Sequence, residues 1–399
     1  MSDFFDSEEE IMIRNQAERL FDYLQKMEKK RKRKLKNVAE LPFPLVQGLN
    51  YLTREELHEI RGRIGVGNAT LKKADLIVLL EKEIPQRLET LLSYFDDDRY
   101  RILKSAQKNG GMIPLEILTV GHAEWFPSSG LLFLAMYQEQ ETMIIPREIM
   151  DAFSKIDEIS IKKKIARNKM LVDLTRGMLH YYGVFDYYAA PIRLEKVLKE
   201  KIDFRHYDTL IEDAMTLTNN PGENPYGYHD FRVVDYEGLL AQHMSRPDIP
   251  YHDFTKKELL EAANGDKYER NHYTKEFSDF LNTTFEVNQA DINDLLDHIQ
   301  EMVLVGETFS DVMVFLSEIT ELPDEELLNM IAGYIQNIYN NSRTWTLKGN
   351  TPLELREAHD KKNIPLRHKE PDLEPLITKA EQKSNVVNIT TARKPGKNK

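Results

Sequence analysis

Hydrophobic positions along this chain recur mostly at helical spacing. Ile11, Ile13, Ala17, Leu20, Phe21, Leu24 and Met27 lie near a 3.6-residue period and predict one helix over 7–36. Pro42 and Pro44 then break it. A compact helical module is predicted over 45–88, with Leu57, Ile60 and Ile64 on one buried stripe and Leu71, Ala74, Ile77 and Leu80 on the next. Over 91–152 the pattern predicts a helix at 99–108, a short helix at 113–120, and a β-hairpin. The hairpin is made by the apolar runs 131–137 and 142–145 around the polar turn 138–141. From 155 to 345 helical stripes follow one another, at 171–183, 292–304, 312–319 and from 322 to about 341. The polar loop 219–228 is their main interruption. Over 346–399 periodicity is lost, and a linker with a basic flexible tail is expected. The fold class is therefore mainly α: a multi-helical chain with a small winged-helix-like segment that contains one β-hairpin. The expected divisions are 1–38, 45–88, 91–152, 155–345 and 346–399.

Within 45–88 the local signals are dense. Thr53 and Glu56 have capping-box spacing. Gly65, Gly67 and Asn68 provide positive φ for a tight reversal. Thr70 is expected to cap a second helix. Trp125 and Phe126, further on, are expected in the core.

Charge changes this picture more than composition does. The 399 residues hold 54 Lys+Arg against 66 Asp+Glu, a formal charge of −12. From Lys29 to Asp75, 12 Lys+Arg face 5 Asp+Glu, a local +7 that leaves −19 on the remainder. Such a split points to a nucleic-acid-facing N-terminal region on an acidic body. The candidate phosphate-binding residues are Lys30, Arg31, Lys32, Arg33 and Lys34 in the basic run, with Arg61, Arg63, Lys72 and Lys73 in the module. Lys72 and Lys73 are expected in the first turn of a helix, where the macrodipole disfavours cations unless an anion sits there. By contrast, 109–146 holds no Lys or Arg, while Glu116, Glu124, Glu139 and Glu141 are acidic. A winged helix without cations gains nothing from phosphate neutralisation, so 91–152 reads as a structural or protein-contact segment.

Two stretches resemble known families. Residues 52–60 (Leu-Thr-Arg-Glu-Glu-Leu-His-Glu-Ile), the Gly65-Val-Gly67 turn and residues 71–77 (Leu-Lys-Lys-Ala-Asp-Leu-Ile) resemble the N-terminal domain of the transcription terminator Rho and the SAP-type DNA-binding module. The resemblance implies nucleic-acid contact at Lys72 and Lys73, and more loosely at Arg61 and Arg63. Residues 340–354, with Trp345, Gly349 and Thr351-Pro352, and the end Lys394-Pro-Gly-Lys-Asn-Lys399 resemble the approach to the zinc tail of bacterial SEC-C-motif proteins. That resemblance implies a zinc site only if a cysteine-containing continuation follows Lys399, because the chain has no cysteine.

Other chemistry is sparse. Without cysteine there is no thiolate metal site, disulfide or thiol nucleophile. None of the 11 histidines has metal-ligand spacing, and no nucleophile elbow or phosphate loop occurs. The longest apolar run, 131–137, is too short to span a bilayer, and the acidic start is not a secretory signal. The expectation is a cytoplasmic, non-enzymatic protein that binds DNA or RNA through its N-terminal region, without cofactor or membrane. One alternative is a protein-interaction adaptor that docks through the acidic segment and body. The other is an enzyme built on His229-Asp230 and His252-Asp253 around the 219–253 loop.

Overall fold

The computed structural model describes residues 25, 29, 32–33, 35–38 and 40–360, apart from 68–69, 157, 219–221, 265–269 and 320–324. Seventeen α-helices and seven short strands occur among them, so the fold is mainly α. None of the described helices is long and apolar enough to cross a membrane. The chain divides into two compact units, Met1–Lys169 with Thr216–Thr218, and Met170–Met215 with Asn219–Lys399.

The first unit opens with strand β1 (Lys36–Asn37) and helices α1 (Leu45–Tyr51), α2 (Arg54–Ile64), α3 (Lys73–Gln86) and α4 (Leu88–Leu92). Leu57, Ile60 and Ile64 of α2 are buried, together with Leu76, Ile77, Leu80 and Ile84 of α3. The predicted second stripe is thus shifted in phase: Ala74 is exposed and Leu71 half-buried, because α3 starts at Lys73. Thr70 does not cap it; the cap position is Lys72, in extended backbone.

Next come α5 (Asp97–Lys108), β2 (Met112–Pro114), α6 (Val120–Ser129), β3 (Phe133–Tyr137), β4 (Gln140–Ile144) and α7 (Arg147–Phe153). The predicted helix at 113–120 is instead strand β2 followed by a 3-10 turn at Leu115–Ile117. The helix that follows is α6, and it buries Trp125 and Phe126 in the core. The hairpin turn has two residues rather than four: Gln138 and Glu139 both have positive φ, which matches the twist of the paired strands. The sheet order is β1-β3-β4-β2, with β1 parallel to β3 and the rest antiparallel. Lys36 therefore lies in a strand and not in the predicted helix 7–36; most of that helix is outside the described residues. Gly48 of α1 lies against the Phe133 ring, where a Cβ would sit 2.6 Å from the nearest ring atom, so only glycine allows this approach.

Helix α8 (Glu158–Tyr182) ends at Gly183, whose φ is +75°. The second unit continues with β5 (Val184–Asp186), α9 (Ala189–Leu198), α10 (Phe204–Thr218), β6 (Gly222–Asn224) and β7 (Gly227–His229). The 219–228 segment is thus not only a loop: β6 and β7 form a second hairpin that joins β5 in a three-stranded sheet. Helices α11 (Tyr236–Ser245) and α12 (Lys256–Asn264) follow. Then α13 (His272–Thr284), α14 (Gln289–Val305), α15 (Phe309–Ile319) and α16 (Glu325–Asn341) share a core that includes Phe277, Ile299, Val312 and Ile335.

The expected linker beyond 346 is also different over 346–360. Trp345 is buried, and its indole N–H donates to the His180 carbonyl at 2.9 Å. Lys348, itself buried, donates to the carbonyls of Arg246 (2.7 Å) and Ile249 (2.9 Å). Burial, with Arg193 and Arg246 nearby, pushes its ammonium pKa down. Thr351 and Glu354 form a reciprocal cap at the start of α17 (Pro352–Asp360). The acceptors of these hydrogen bonds, His180, Arg246 and Ile249, lie about a hundred residues or more earlier in the chain, so local periodicity cannot reveal this strap.

Candidate nucleic-acid interface

The module is built from its caps outward. Thr53 Oγ1 accepts from the Glu56 amide at 3.2 Å, and Glu56 Oε2 accepts from the Thr53 amide at 2.8 Å. Gly65, at φ +69°, ends α2 in the left-handed region. Arg61 then braces the reversal. Its guanidinium donates to the Val66 carbonyl at 3.1 Å and to His58 Nδ1 at 3.3 Å. Arg54 donates to the Leu71 carbonyl at 3.1 Å. The chain leaves this turn extended and enters α3 through Lys72, whose φ is −75° and ψ 161°.

The residue at the cap position, Lys72, makes no side-chain cap bond. Every helix start leaves its first N–H groups without intrahelical partners, and at this one the side chains of Lys72 and Lys73 are exposed. Lys73 reaches back with Nζ to the Asn50 carbonyl at 3.1 Å, in the last turn of α1. That contact places a cation at the negative end of α1 and orients the start of α3.

The sequence candidates therefore separate. Lys72 and Lys73 are exposed at one helix start. Arg61 is turned inward as a brace. Arg63 is exposed, with its guanidinium carbon 5.2 Å from the Trp125 ring centre. Arg33 is half-exposed and paired with Glu56 at 2.9 Å, which ties the basic arm to the α2 cap. Lys32 is exposed. Lys30, Arg31 and Lys34 lie outside the described residues.

A second group of cations escaped sequence reading. On α8, Lys162, Lys163, Lys164 and Lys169 are exposed, while Ile161, Ile165 and Asn168 are buried. The signal was the run of three lysines between two isoleucines. It falls where the chain turns to long core stripes, and a charge run on a helix usually marks a merely solvated face.

The His-Asp pairs of the 219–253 segment go to separate partners. His229 stacks on Tyr236 with ring centres 5.2 Å apart, and burial pushes its pKa down. Asp230 pairs with Arg232 at 2.8 Å. His252 Nδ1 lies 3.4 Å from Glu354, and the exposed Asp253 lies 3.8 Å from Lys196. Among the described residues no three His, Asp or Glu side chains are grouped to hold a metal ion.

Comparison of the chain with protein-family models, with curated proteins and with solved structures gives no match.

Proposed function

We propose that this chain is a non-enzymatic, cytoplasmic nucleic-acid-associated protein that grips the phosphate backbone through its α2–α3 module and basic N-terminal arm. The observation that carries this reading is the start of α3, where the cap residue Lys72 and the first residue Lys73 stand exposed within a segment of net +7. A phosphate there would accept from first-turn N–H groups and from both ammonium groups. The resemblance of 52–77 to the Rho N-terminal and SAP-type modules supports the same contact, and that of the C-terminal segments to SEC-C-motif proteins fits a bacterial chain of this kind. Lysines on phosphates fix position without reading bases, so sequence preference is weak and salt dependence steep. The test is fluorescence anisotropy with labelled duplex DNA, single-stranded DNA and RNA across a salt series. Lys72→Glu with Lys73→Glu is expected to weaken binding and to lower the salt slope by about two counter-ions. An unchanged slope overturns the reading.

One observation favours a protein partner as a second reading. Residues 276–342 carry 14 Asp+Glu and no Lys or Arg. A basic protein would be drawn to such a surface, as the adaptor alternative requires. Pull-down before and after nuclease treatment separates the two: partners lost with nuclease support nucleic acid, and partners retained support the adaptor.

A further inference from the structure

Two aromatic rings of the second unit are stacked on each other in solvent. Tyr188 stands just before α9, and Phe204 opens α10. Their ring centres are 5.2 Å apart and their planes lie 16° from parallel. The backbone fixes both positions. Asp186 Oδ1 accepts from the amides of Tyr188 (2.9 Å) and Ala189 (3.0 Å), and Asp203 Oδ1 accepts from the His206 amide at 3.0 Å. Each ring is therefore carried by a helix start that a carboxylate holds in place. Phe204 covers one face of Tyr188, yet Tyr188 is 67% exposed, so its other face is open to water. Ile192, one turn further along α9 and 60% exposed, lengthens the apolar surface. A contiguous exposed apolar patch, unlike scattered single residues, marks a contact site.

The stretch that carries these rings is cationic. From 188 to 206 there are five Lys+Arg and three Asp+Glu, a net +2 in a chain of −12. Lys201 pairs with Glu195 at 2.8 Å, and Lys196 lies 3.8 Å from Asp253. Lys199 and Arg205 are exposed and form no ion pair among the described residues. Arg205 directly follows Phe204 in the first turn of α10, and Lys199 closes α9 in the left-handed region at φ +56°. The carboxylate of Asp203, the acid next to Phe204, is already used as the helix cap.

We propose that Tyr188 and Phe204 form a stacking platform for unpaired bases of a single-stranded nucleic acid, with Arg205 and Lys199 on its phosphates. The proposal rests on the nucleic-acid reading above for the class of partner and adds the strand form. An open ring face takes a planar aromatic group, and the cations beside it take an anion; a nucleotide joins the two in one ligand. A purely apolar partner would match the rings but not the cations. A duplex keeps its bases stacked on one another, so only a single strand can lay one on the Tyr188 ring. Every base has a π-face, so this contact carries little sequence preference.

The test uses the full chain with a labelled single-stranded thymidine oligonucleotide and a labelled duplex of the same length. Tyr188→Ala with Phe204→Ala is expected to weaken single-strand binding about tenfold and to leave duplex binding unchanged. The single-strand salt slope is expected to stay the same, because no phosphate contact is removed. Tyr188→Ala alone, at an exposed position, is expected to melt like the wild type and still to lose single-strand affinity, which separates lost stacking from unfolding. Tyr188→Trp is expected to keep affinity and to report the contact. The native tryptophans Trp125 and Trp345 are buried, so the introduced indole supplies the exposed emission, and a base stacked on it quenches that emission. Absence of quenching at saturating oligonucleotide overturns the proposal. If the Ala variants keep wild-type affinity while Lys72→Glu with Lys73→Glu weakens duplex binding, the platform falls and the module reading stands. If the Ala variants lose single-strand binding while Lys72→Glu with Lys73→Glu keeps its salt slope, the platform stands and the module reading falls. If the wild-type chain binds no nucleic acid, both fall. If sedimentation shows self-association that Tyr188→Ala abolishes, with single-strand affinity unaffected, the rings dock on a second copy and the proposal is overturned.

Discussion

At the scale of single residues, a cation's role depends on where its charge is used. Arg61 and Lys72 are eleven positions apart and equally basic, yet one holds the backbone of a turn and the other faces solvent. Arg61→Ala is expected to destabilise the first unit by about 1–2 kcal/mol, because the Val66 carbonyl loses a charged donor. Lys72→Gln should leave the thermal midpoint unchanged, and denaturation of both variants checks the contrast. His243 offers a pH prediction. The Trp345 carbonyl, 2.7 Å from Nε2, can only accept, so Nε2 carries the proton and Nδ1 accepts from the Tyr251 hydroxyl at 3.1 Å. Burial pushes its pKa down to about 4, with Lys348, Arg246 and Arg193 adding to the depression. Between about pH 6.5 and 4 the unfolded chain therefore binds a proton that the folded chain refuses. Stability falls as pH drops through that window, by up to ~3 kcal/mol for this group. His243→Gln should be less stable at pH 7 and show a shallower acid limb, measured as thermal midpoint against pH.

At the scale of elements, the start of α3 joins stability to binding with opposite signs. Lys72 holds cap geometry without a cap side chain. Lys72→Asp supplies the missing acceptor and an anion where the helix dipole favours one. It is expected to raise stability by about 0.5–2 kcal/mol and to weaken nucleic-acid binding. A rise in melting temperature without a loss of affinity would show that this helix start meets no phosphate. The elements also show what a sequence conceals. The capping box at Thr53 and the glycine stop at Gly65 were legible because they act within four residues. The true start of α3 was not. Thr70 is the better cap by residue type, but the extended stretch bonded to Arg54 carries the chain past it before the helix begins. The strand at 112–114 was hidden for a similar reason: its hydrogen bonds go to Met143 and its neighbours, some thirty residues away.

At the scale of the whole molecule, the charge of −12 is a sum of unlike regions. A basic N-terminal segment stands against the 276–342 stretch, which has no Lys or Arg. With about six phosphate contacts, affinity for nucleic acid is expected to fall on the order of a thousandfold between 50 and 200 mM salt. An anisotropy titration at those two concentrations checks this, and a flat response would exclude backbone binding. The same charge map explains why candidate cations were only partly legible. A sequence shows that Arg61 and Lys72 are both charged, but only the bond from Arg61 to the Val66 carbonyl shows which of the two the fold has used.

The sequence alone determined the mainly helical class, the capped α2 and its glycine reversal, the β3–β4 hairpin and the uneven distribution of charge. Each follows from propensity, period or sign within a short window. Only the tertiary structure decided which cations were consumed. Arg33 went to Glu56 and Arg61 to its turn, while the Lys72 side chain stayed exposed. It also decided that 346–360 is a packed strap in which Lys348 is buried against two carbonyls. The physical reason is common to these cases. A charge or a polar group is satisfied by whatever the fold brings within about 3 Å, and those partners come from any distance along the chain.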